Sequence, residues 1–248
     1  MLVLINLDSA TERRARMMRQ LQAQGLPFTR VGIDFRRLAR SEVAHQVRER
    51  FPSLHIDMRK LSGAEIGCWA SHLTAWQSLA DGNAATMAVI EDDLVLAPHF
   101  GAVVDTLLAT QPAALPLDLI YLGTSSRNLS QRRQLAVGEL AIHMPVGVIF
   151  NTWGYVVRRE WVRAFFEHGG KVDLPIDHFI GGRARWCAPR IGVLQPRLVT
   201  EDAELGRASQ IAPHTPRLDR ATVVEAARRA VLASPLSDLY YRTVYKHL

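Results

Sequence analysis

Two cysteines in 248 residues, Cys68 and Cys187, leave no CxxC pair and nothing from which a disulfide framework or a zinc knuckle could be assembled. A reducing compartment suits such a chain. Long hydrophobic runs are missing too. Nothing approaches the ~20 apolar residues that cross a bilayer, and Asp8 interrupts the opening apolar stretch before it could serve as a signal-peptide core. The expected location is therefore the cytoplasm. There is no GxGxxG, Walker loop, HExxH or GxSxG, which removes the dinucleotide, P-loop, zinc-protease and serine-hydrolase fingerprints. Internal repeats and low-complexity runs are also missing. Excess acid is absent as well: 30 Lys and Arg against 24 Asp and Glu give a net charge of +6. That balance suits an anionic partner such as nucleic acid, acidic lipid or a phosphorylated substrate, and composition does not choose among them.

What is present is an ordinary globular composition, 48% hydrophobic and 22% charged, long enough for one large α/β domain or a domain with a tail. The chain is organised around Ala84-Ala85-Thr86-Met87-Ala88-Val89-Ile90, which stops on three carboxylates, Glu91-Asp92-Asp93. The apolar run, preceded by the turn signal Asp81-Gly82-Asn83, predicts a strand buried on both faces, as in a parallel sheet covered by helices. Adjacent carboxylates repel one another unless a cation sits among them, so a divalent metal at this strand end is one reading. A solvated acidic turn leading into Leu94 and Pro98 is the other. The carboxyl ends of strands in open α/β sheets are also where ligands bind.

Elsewhere strands and helices alternate, which argues for a doubly wound α/β sheet. Leu2–Ile5 reads as a first strand, followed by a helix with Met17, Met18 and Leu21 on its apolar side and Arg13, Arg14, Arg16 and Arg19 on the other, closing near Gly25. Arginines so close to a strand end suit a phosphate or diphosphate, although for any one of them a solvated basic helix face is the favoured reading. Residues 28–33 suggest a second strand, and 36–60 a helix and a loop. Ser62-Gly63-Ala64-Glu65 has the spacing of a capping box, so a largely buried helix begins there. His72, on that helix, is a hydrogen-bonded core residue or a group beneath the acidic strand end, and the core reading is favoured. Further helices are expected over 98–108 and 160–168, and strands over 117–123, 135–150 and 152–157. Residues 191–199 read as a last strand interrupted by Pro196, hence an edge or irregular segment.

Pro175-Ile176-Asp177-His178 sets an acid beside an imidazole, either a metal ligand with a base or a helix start with an acidic first turn. From Pro216 to Leu248, arginines interleave with apolar residues and tyrosines across a Ser234-Pro235 break, the pattern of two short helices that lie on an anionic membrane or pack back on the sheet. The domain division is thus 1–215 and 216–248.

Taken together, the chain resembles glycosyltransferase family 25, the bacterial lipooligosaccharide galactosyltransferases and their collagen-modifying relatives. The resemblance is carried by Val3-Leu4-Ile5-Asn6-Leu7-Asp8 with Arg13, by Leu61-Ser62-Gly63-Ala64-Glu65-Ile66-Gly67-Cys68-Trp69-Ala70-Ser71-His72, and by Ala88-Val89-Ile90-Glu91-Asp92-Asp93. Thr152-Trp153-Gly154-Tyr155, Pro175-Ile176-Asp177-His178 and Gln195-Pro196-Arg197-Leu198-Val199 with Ser209-Gln210-Ile211 complete it. The resemblance implies a GT-A-type fold, a Rossmann-like mixed sheet covered by helices, over 1–215. It also implies a nucleotide-sugar donor, UDP-galactose by expectation, and inverting transfer to a lipooligosaccharide or other cell-envelope glycan, with Mn²⁺ or Mg²⁺ as cofactor. Residue by residue, Asn6, Leu7 and Asp8 line the nucleotide and Arg13 is the basic contact. Glu91 and Asp92 neighbour the ribose and metal, and Asp93, with Asp92 and His178, holds the metal. Asp177 is the candidate base, and its role and that of His178 are interchangeable. Expected partners are a nucleotide sugar, a glycan or lipid-linked glycan and the inner face of an anionic cytoplasmic membrane, not nucleic acid. The rivals are a metal-dependent phosphoesterase and a binding protein that holds a nucleotide sugar or glycan without turnover.

Overall fold

A computed structural model describes residues 1–57, 59–110, 115–125, 129–137, 140–183 and 187–206. In chain order these form β1 (Leu2–Ile5), α1 (Thr11–Ala23), β2 (Thr29–Val31), α2 (Arg40–Arg50), β3 (Leu54–Ile56), α3 (Gly63–Asp81), β4 (Thr86–Glu91) and β5 (Leu94–Leu96). Then follow α4 (Phe100–Ala109), β6 (Leu119–Gly123), β7 (Leu129–Val137), β8 (Leu140–Pro145), β9 (Gly154–Arg158), α5 (Arg159–His168) and β10 (Gly170–Val172). Last come α6 (Ile176–His178), a π-type turn over Phe179–Arg183, β11 (Ile191–Gln195), β12 (Val199–Glu201) and α7 (Ala203–Gly206). The expected tail helices over 216–248, and Ser209-Gln210-Ile211, lie outside the described residues.

Eight strands form one sheet in the order β2-β1-β4-β9-β6-β11-β8-β7. The sheet is mixed. β1 runs parallel to β2 and β4, and β6 parallel to β11, but β9 lies antiparallel between β4 and β6. Helices cover both faces, as in a doubly wound sheet, but the strands are not all parallel, because periodicity reports burial and not strand direction. The mixed sheet implied by the family resemblance is the one found.

Both faces of the central strands are covered, which is why β1 and β4 read as unbroken apolar runs. Val3, Ile5, Met87 and Val89 face a layer with Trp69, Trp76 and Phe165 from α3 and α5. The alternate residues Leu2, Leu4, Ala88 and Ile90 face Met17, Leu21, Phe100 and Val104 from α1 and α4. The two-residue period of a strand divides one apolar run between two cores.

Helix α3 begins as its sequence predicts. Ser62 Oγ accepts from the Glu65 amide at 3.2 Å and Glu65 Oε2 accepts from the Ser62 amide at 2.7 Å, so two orphan donors are satisfied reciprocally. The helix is buried along most of its length because it packs between the sheet and α5, where Trp69, Trp76, Phe165 and Phe179 meet edge to face at centroid distances of 5.1–6.2 Å. The helix over 159–168 ends on Gly169 at φ +59, a left-handed position that a side chain would strain.

Three differences from the sequence reading stand out. Within 36–60 there is a strand, β3, paired in parallel with β10, and just beyond the acidic triplet lies β5, paired with β12. Each is three residues long, too short to show a period. Residues 191–195 form β11 between β6 and β8 in the sheet interior, not an edge. Pro196 falls after the strand has ended, so its missing N–H withholds nothing from that ladder.

Candidate active site

Parallel pairing sets Ile5 opposite both Val31 and Glu91, so β1, β2 and β4 end side by side at their carboxyl edge. The residues that follow, Asn6, Gly32 and Asp92, are consequently neighbours. Gly32 passes so close to the Asn6 carbonyl that any Cβ would collide with it. Asn6 is 1% exposed, and its Nδ2 donates to Asp92 Oδ2 at 2.7 Å and to the Ala10 carbonyl at 3.2 Å. Arg13, in the first turns of α1, reaches the same edge. Its Nη1 lies 3.2 Å from Asp92 Oδ1 and 3.2 Å from Asp93 Oδ2, and its Nη2 donates to the Leu205 carbonyl at 2.9 Å. The segment bearing Leu205 is held there by an Arg16–Asp202 ion pair and by the Asp202 amide donating to the Asp93 carbonyl at 2.8 Å.

Helix α3 forms the opposite wall, and its signature residues have separate tasks. At Gly67 an added Cβ would stand 2.8 Å from the Ile33 carbonyl, so glycine permits the close approach of helix and strand exit. Ser71 Oγ accepts from the Ile33 amide at 2.8 Å and donates to the Gly67 carbonyl at 2.8 Å. Between the walls lies a cavity of about 160 Å³ lined by Asn6, Leu7, Arg13, residues 33–36, Gly67, Cys68, Ser71 and the three acids.

Beneath the cavity runs a buried polar chain. His72 is 0% exposed, its Nδ1 is 2.7 Å from Tyr155 Oη, and Trp76 Nε1 donates to the same oxygen at 3.0 Å. On its other side His72 Nε2 faces Glu91 Oε1 at 3.6 Å. The two readings of His72 therefore hold together: it is a hydrogen-bonded core residue and it underlies the acidic strand end. Thr152 Oγ1 donates a short hydrogen bond to Glu91 Oε1.

The three carboxyls are not equivalent. Burial and the neighbouring Glu91 charge push Asp93 up to about 7 against the pull of Arg13. Burial likewise raises Asp92, with Asn6 and Arg13 opposing it. Burial also acts on Glu91, but the His72 ring, the Thr152 hydroxyl and Arg13 outweigh it, and its pKa settles below the ordinary value. Burial first and the nearby carboxylates second hold the Cys68 thiol well above its usual range. Adjacent carboxyls whose surroundings drive them apart are typical of functional sites.

Asp177 stands on α6, which is anchored by Trp69 Nε1 donating to the Leu174 carbonyl at 2.8 Å. Its Oδ1 accepts from the His178 amide at 2.8 Å and its Oδ2 from the Asn151 amide at 3.5 Å. Its charge, like that of Glu91, raises the pKa of both Cys68 and the buried Tyr121, in each case behind the larger effect of burial. Asp177 and Glu91 thus act on one interior region. His178 sets its ring edge-on to Phe150 at 5.1 Å, and among the described residues no group of three ligand-type side chains within metal-binding reach contains it. Leu7 lines the cavity. Asp8 does not; it is exposed and paired with Arg30 at 2.5 Å.

Sequence reasoning missed Asp34, Phe35 and Arg36, which line the cavity just past β2. The available signal was their position, immediately after a strand parallel to β1 and at its carboxyl end.

The donor set fits a hard divalent cation. Asp93 Oδ1 and Asn6 Oδ1 are buried without hydrogen-bond partners among the described residues, and oxygen donors suit Mn²⁺ or Mg²⁺. At present the Arg13 guanidinium offsets the charge of Asp92 and Asp93.

A helix-covered sheet with a carboxylate-lined cavity at its parallel strand ends defines an α/β ligand-binding domain. The chain belongs to glycosyltransferase family 25: the sequence profile described as "Glycosyltransferase family 25 (LPS biosynthesis protein)" matches residues 1–180. It is similar to procollagen galactosyltransferase 1-B of Xenopus laevis, 30% identical over 185 residues that cover 71% of this chain and 30% of that protein. Procollagen galactosyltransferase 2 of Homo sapiens is 29% identical over 183 residues, covering 71% of this chain and 29% of that protein. The probable inactive glycosyltransferase 25 family member 3 of Bos taurus is 28% identical over 124 residues, 49% of this chain and 20% of that protein. The chain thus spans under a third of the length of these relatives.

Proposed function

We propose that this chain catalyses inverting transfer of a hexose, galactose from UDP-galactose, to a glycan acceptor of the cell envelope with the help of a divalent cation. One observation carries the reading: Asn6, Arg13, Glu91, Asp92 and Asp93 converge on one cavity at the carboxyl ends of β1, β2 and β4. Family membership supports a nucleotide-sugar donor and a glycan acceptor, and similarity to procollagen galactosyltransferases supports galactose.

Asp92 and Asp93 would hold Mn²⁺ or Mg²⁺, which when bound offsets the charge that gathers on a departing nucleoside diphosphate. Asn6 orients Asp92 by its 2.7 Å hydrogen bond, so that carboxylate is fixed before donor arrives. Arg13 keeps the two aspartates together, and Arg36, held by Asp34 and Ser9, places a second guanidinium at the cavity wall beside phosphate oxygens. Asp177 takes the proton of the acceptor hydroxyl as its oxygen bonds the anomeric carbon and the diphosphate oxygen leaves with the electron pair. Residues 216–248 supply reversible attachment to an anionic membrane at its cytoplasmic face, where a lipid-linked acceptor would be met.

The test is release of UDP from UDP-galactose on adding acceptor glycans, with and without Mn²⁺, beside thermal protection by a panel of nucleotide sugars. Protection without UDP release under any acceptor would replace this reading with donor binding alone, which the ion pairing of Arg13 with both aspartates also suits.

A further inference from the structure

Cys68, His72 and Glu91 bring a thiol, an imidazole and a carboxylate together, with one ligand atom from each inside a span of 4.8 Å. Two of the three come from α3, where Cys68 and His72 are four residues apart and so share a helix face. The third comes from the end of β4. Neither element alone contains the group; the packing of α3 under the strand end creates it.

His72 gives the cluster its direction. The residue is 0% exposed, and its Nε2 makes no hydrogen bond among the described residues; the nearest acceptor it faces is Glu91 Oε1 at 3.6 Å, beyond hydrogen-bond reach. A buried ring nitrogen that faces a carboxylate without closing a hydrogen bond to it is uncommon. The opposite nitrogen, Nδ1, is fixed by Tyr155 Oη at 2.7 Å, an oxygen that Trp76 holds in turn. One nitrogen held by a polar partner and the other aimed at two further ligand-type atoms is the usual setting of a metal-bound histidine. Cys68 and Glu91 also line the cavity, so the cluster has an entry path and room for a water as fourth ligand.

We propose that Cys68, His72 and Glu91 form a site for a zinc-class divalent cation, separate from the oxygen donors of Asp92 and Asp93. The donors decide the metal: thiolate and imidazole select zinc or cobalt, whereas Mg²⁺ and Mn²⁺ prefer oxygen ligands. On binding, the S–H bond of Cys68 is replaced by a sulfur–metal bond and its proton passes to solvent, with no change of oxidation state. His72 contributes the Nε2 lone pair, so its ring proton sits on Nδ1 and is donated to Tyr155. The inference goes beyond the transferase reading and does not depend on it.

The experiment uses the untagged full chain with Co²⁺ as optical probe. The expected result is sulfur-to-cobalt charge-transfer absorption that saturates at one ion per chain, is displaced by Zn²⁺ and survives a hundredfold excess of Mg²⁺. Cys68→Ser should abolish it, while Cys187→Ser and Asp93→Asn keep it. Absence of thiolate absorption in the wild type, its survival in Cys68→Ser, or its loss in Cys187→Ser each overturns the proposal. Should Cys68→Ser fold poorly, alkylation of wild-type protein mapped by mass spectrometry decides. Zn²⁺ should slow modification of Cys68 at least tenfold more than that of Cys187, and equal slowing refutes the site.

Discussion

The Arg13 guanidinium stands 3.2 Å from a carboxylate oxygen of Asp93, 80 residues further along the chain, and the same nitrogen is 3.2 Å from Asp92. It occupies the position of a cation between two acids. Arg13→Gln should therefore lower the stability of metal-free protein by about 1–3 kcal/mol, since two partly buried carboxylates lose their counter-charge. The variant should also gain more in thermal midpoint from Mn²⁺ than the wild type does, because an ion that binds only the folded form then offsets the lost charge. Equal gains in the two proteins, followed by calorimetry, would show that the cation does not enter this carboxylate pair.

Asp93→Asn keeps shape and removes charge at the carboxyl with the most raised pKa of the triplet. Turnover should fall by more than about 10², as when a group that stabilises transition-state charge is lost, while circular dichroism stays that of the wild type. Metal-dependent binding of UDP should weaken in parallel. Near-normal UDP release by this variant would remove Asp93 from the metal site.

Asp177→Asn should lower kcat by about 10² to 10⁴ and leave donor affinity little changed, the mark of a group that acts mainly in the transition state. Steady-state kinetics beside equilibrium binding of UDP-galactose separate the two quantities. A collapse of donor affinity would instead make Asp177 a donor or metal ligand.

Acid stability should respond to Asp57, far from the site in function and at the end of β3. The Arg59 amide at 3.1 Å, the Arg59 side chain at 3.4 Å and Lys171 on β10 at 3.2 Å hold this carboxyl down to about 2. Its folded pKa lies below the ordinary value of about 4, so its contribution is present above about pH 4 and disappears as pH falls towards about 2. Asp57→Asn should be less stable than wild type at neutral pH, and the gap should close across that acid window in urea titrations. A gap that stays constant with pH would mean the contribution is not electrostatic.

Residues 216–248 make a separate prediction from sequence alone. Each basic side chain near an anionic surface is worth about 1 kcal/mol, so full-length protein should sediment with anionic liposomes at low salt and be released at high salt. A chain ending before Pro216 should not sediment with them. Equal binding by both proteins, or indifference to lipid charge, would refute membrane attachment by this segment.

Much of the architecture was legible in the sequence because the information is local. The Ser62/Glu65 capping box closes within one helix turn, the apolar run before Glu91 reports burial on both faces, and Gly169 marks a helix end. Three carboxylates at a strand end likewise announce a charge problem wherever the chain goes. Other facts belong to pairs of segments and become real only on folding. A three-residue strand such as β3 or β5 has no period to read; its partner, β10 or β12, makes it a strand. The direction of β9 leaves no trace in its residues, because apolar alternation is the same in either sense. Asp34, Phe35 and Arg36 line the cavity only because the strand before them lies beside β1 in register, and Asp8, one residue past Leu7, turns outward to Arg30. The meeting of His72 with Glu91 and Cys68 depends on how α3 packs under β4, a distance of a few ångströms set by the bulk of Trp69, Trp76 and Tyr155 in the core rather than by any spacing along the chain.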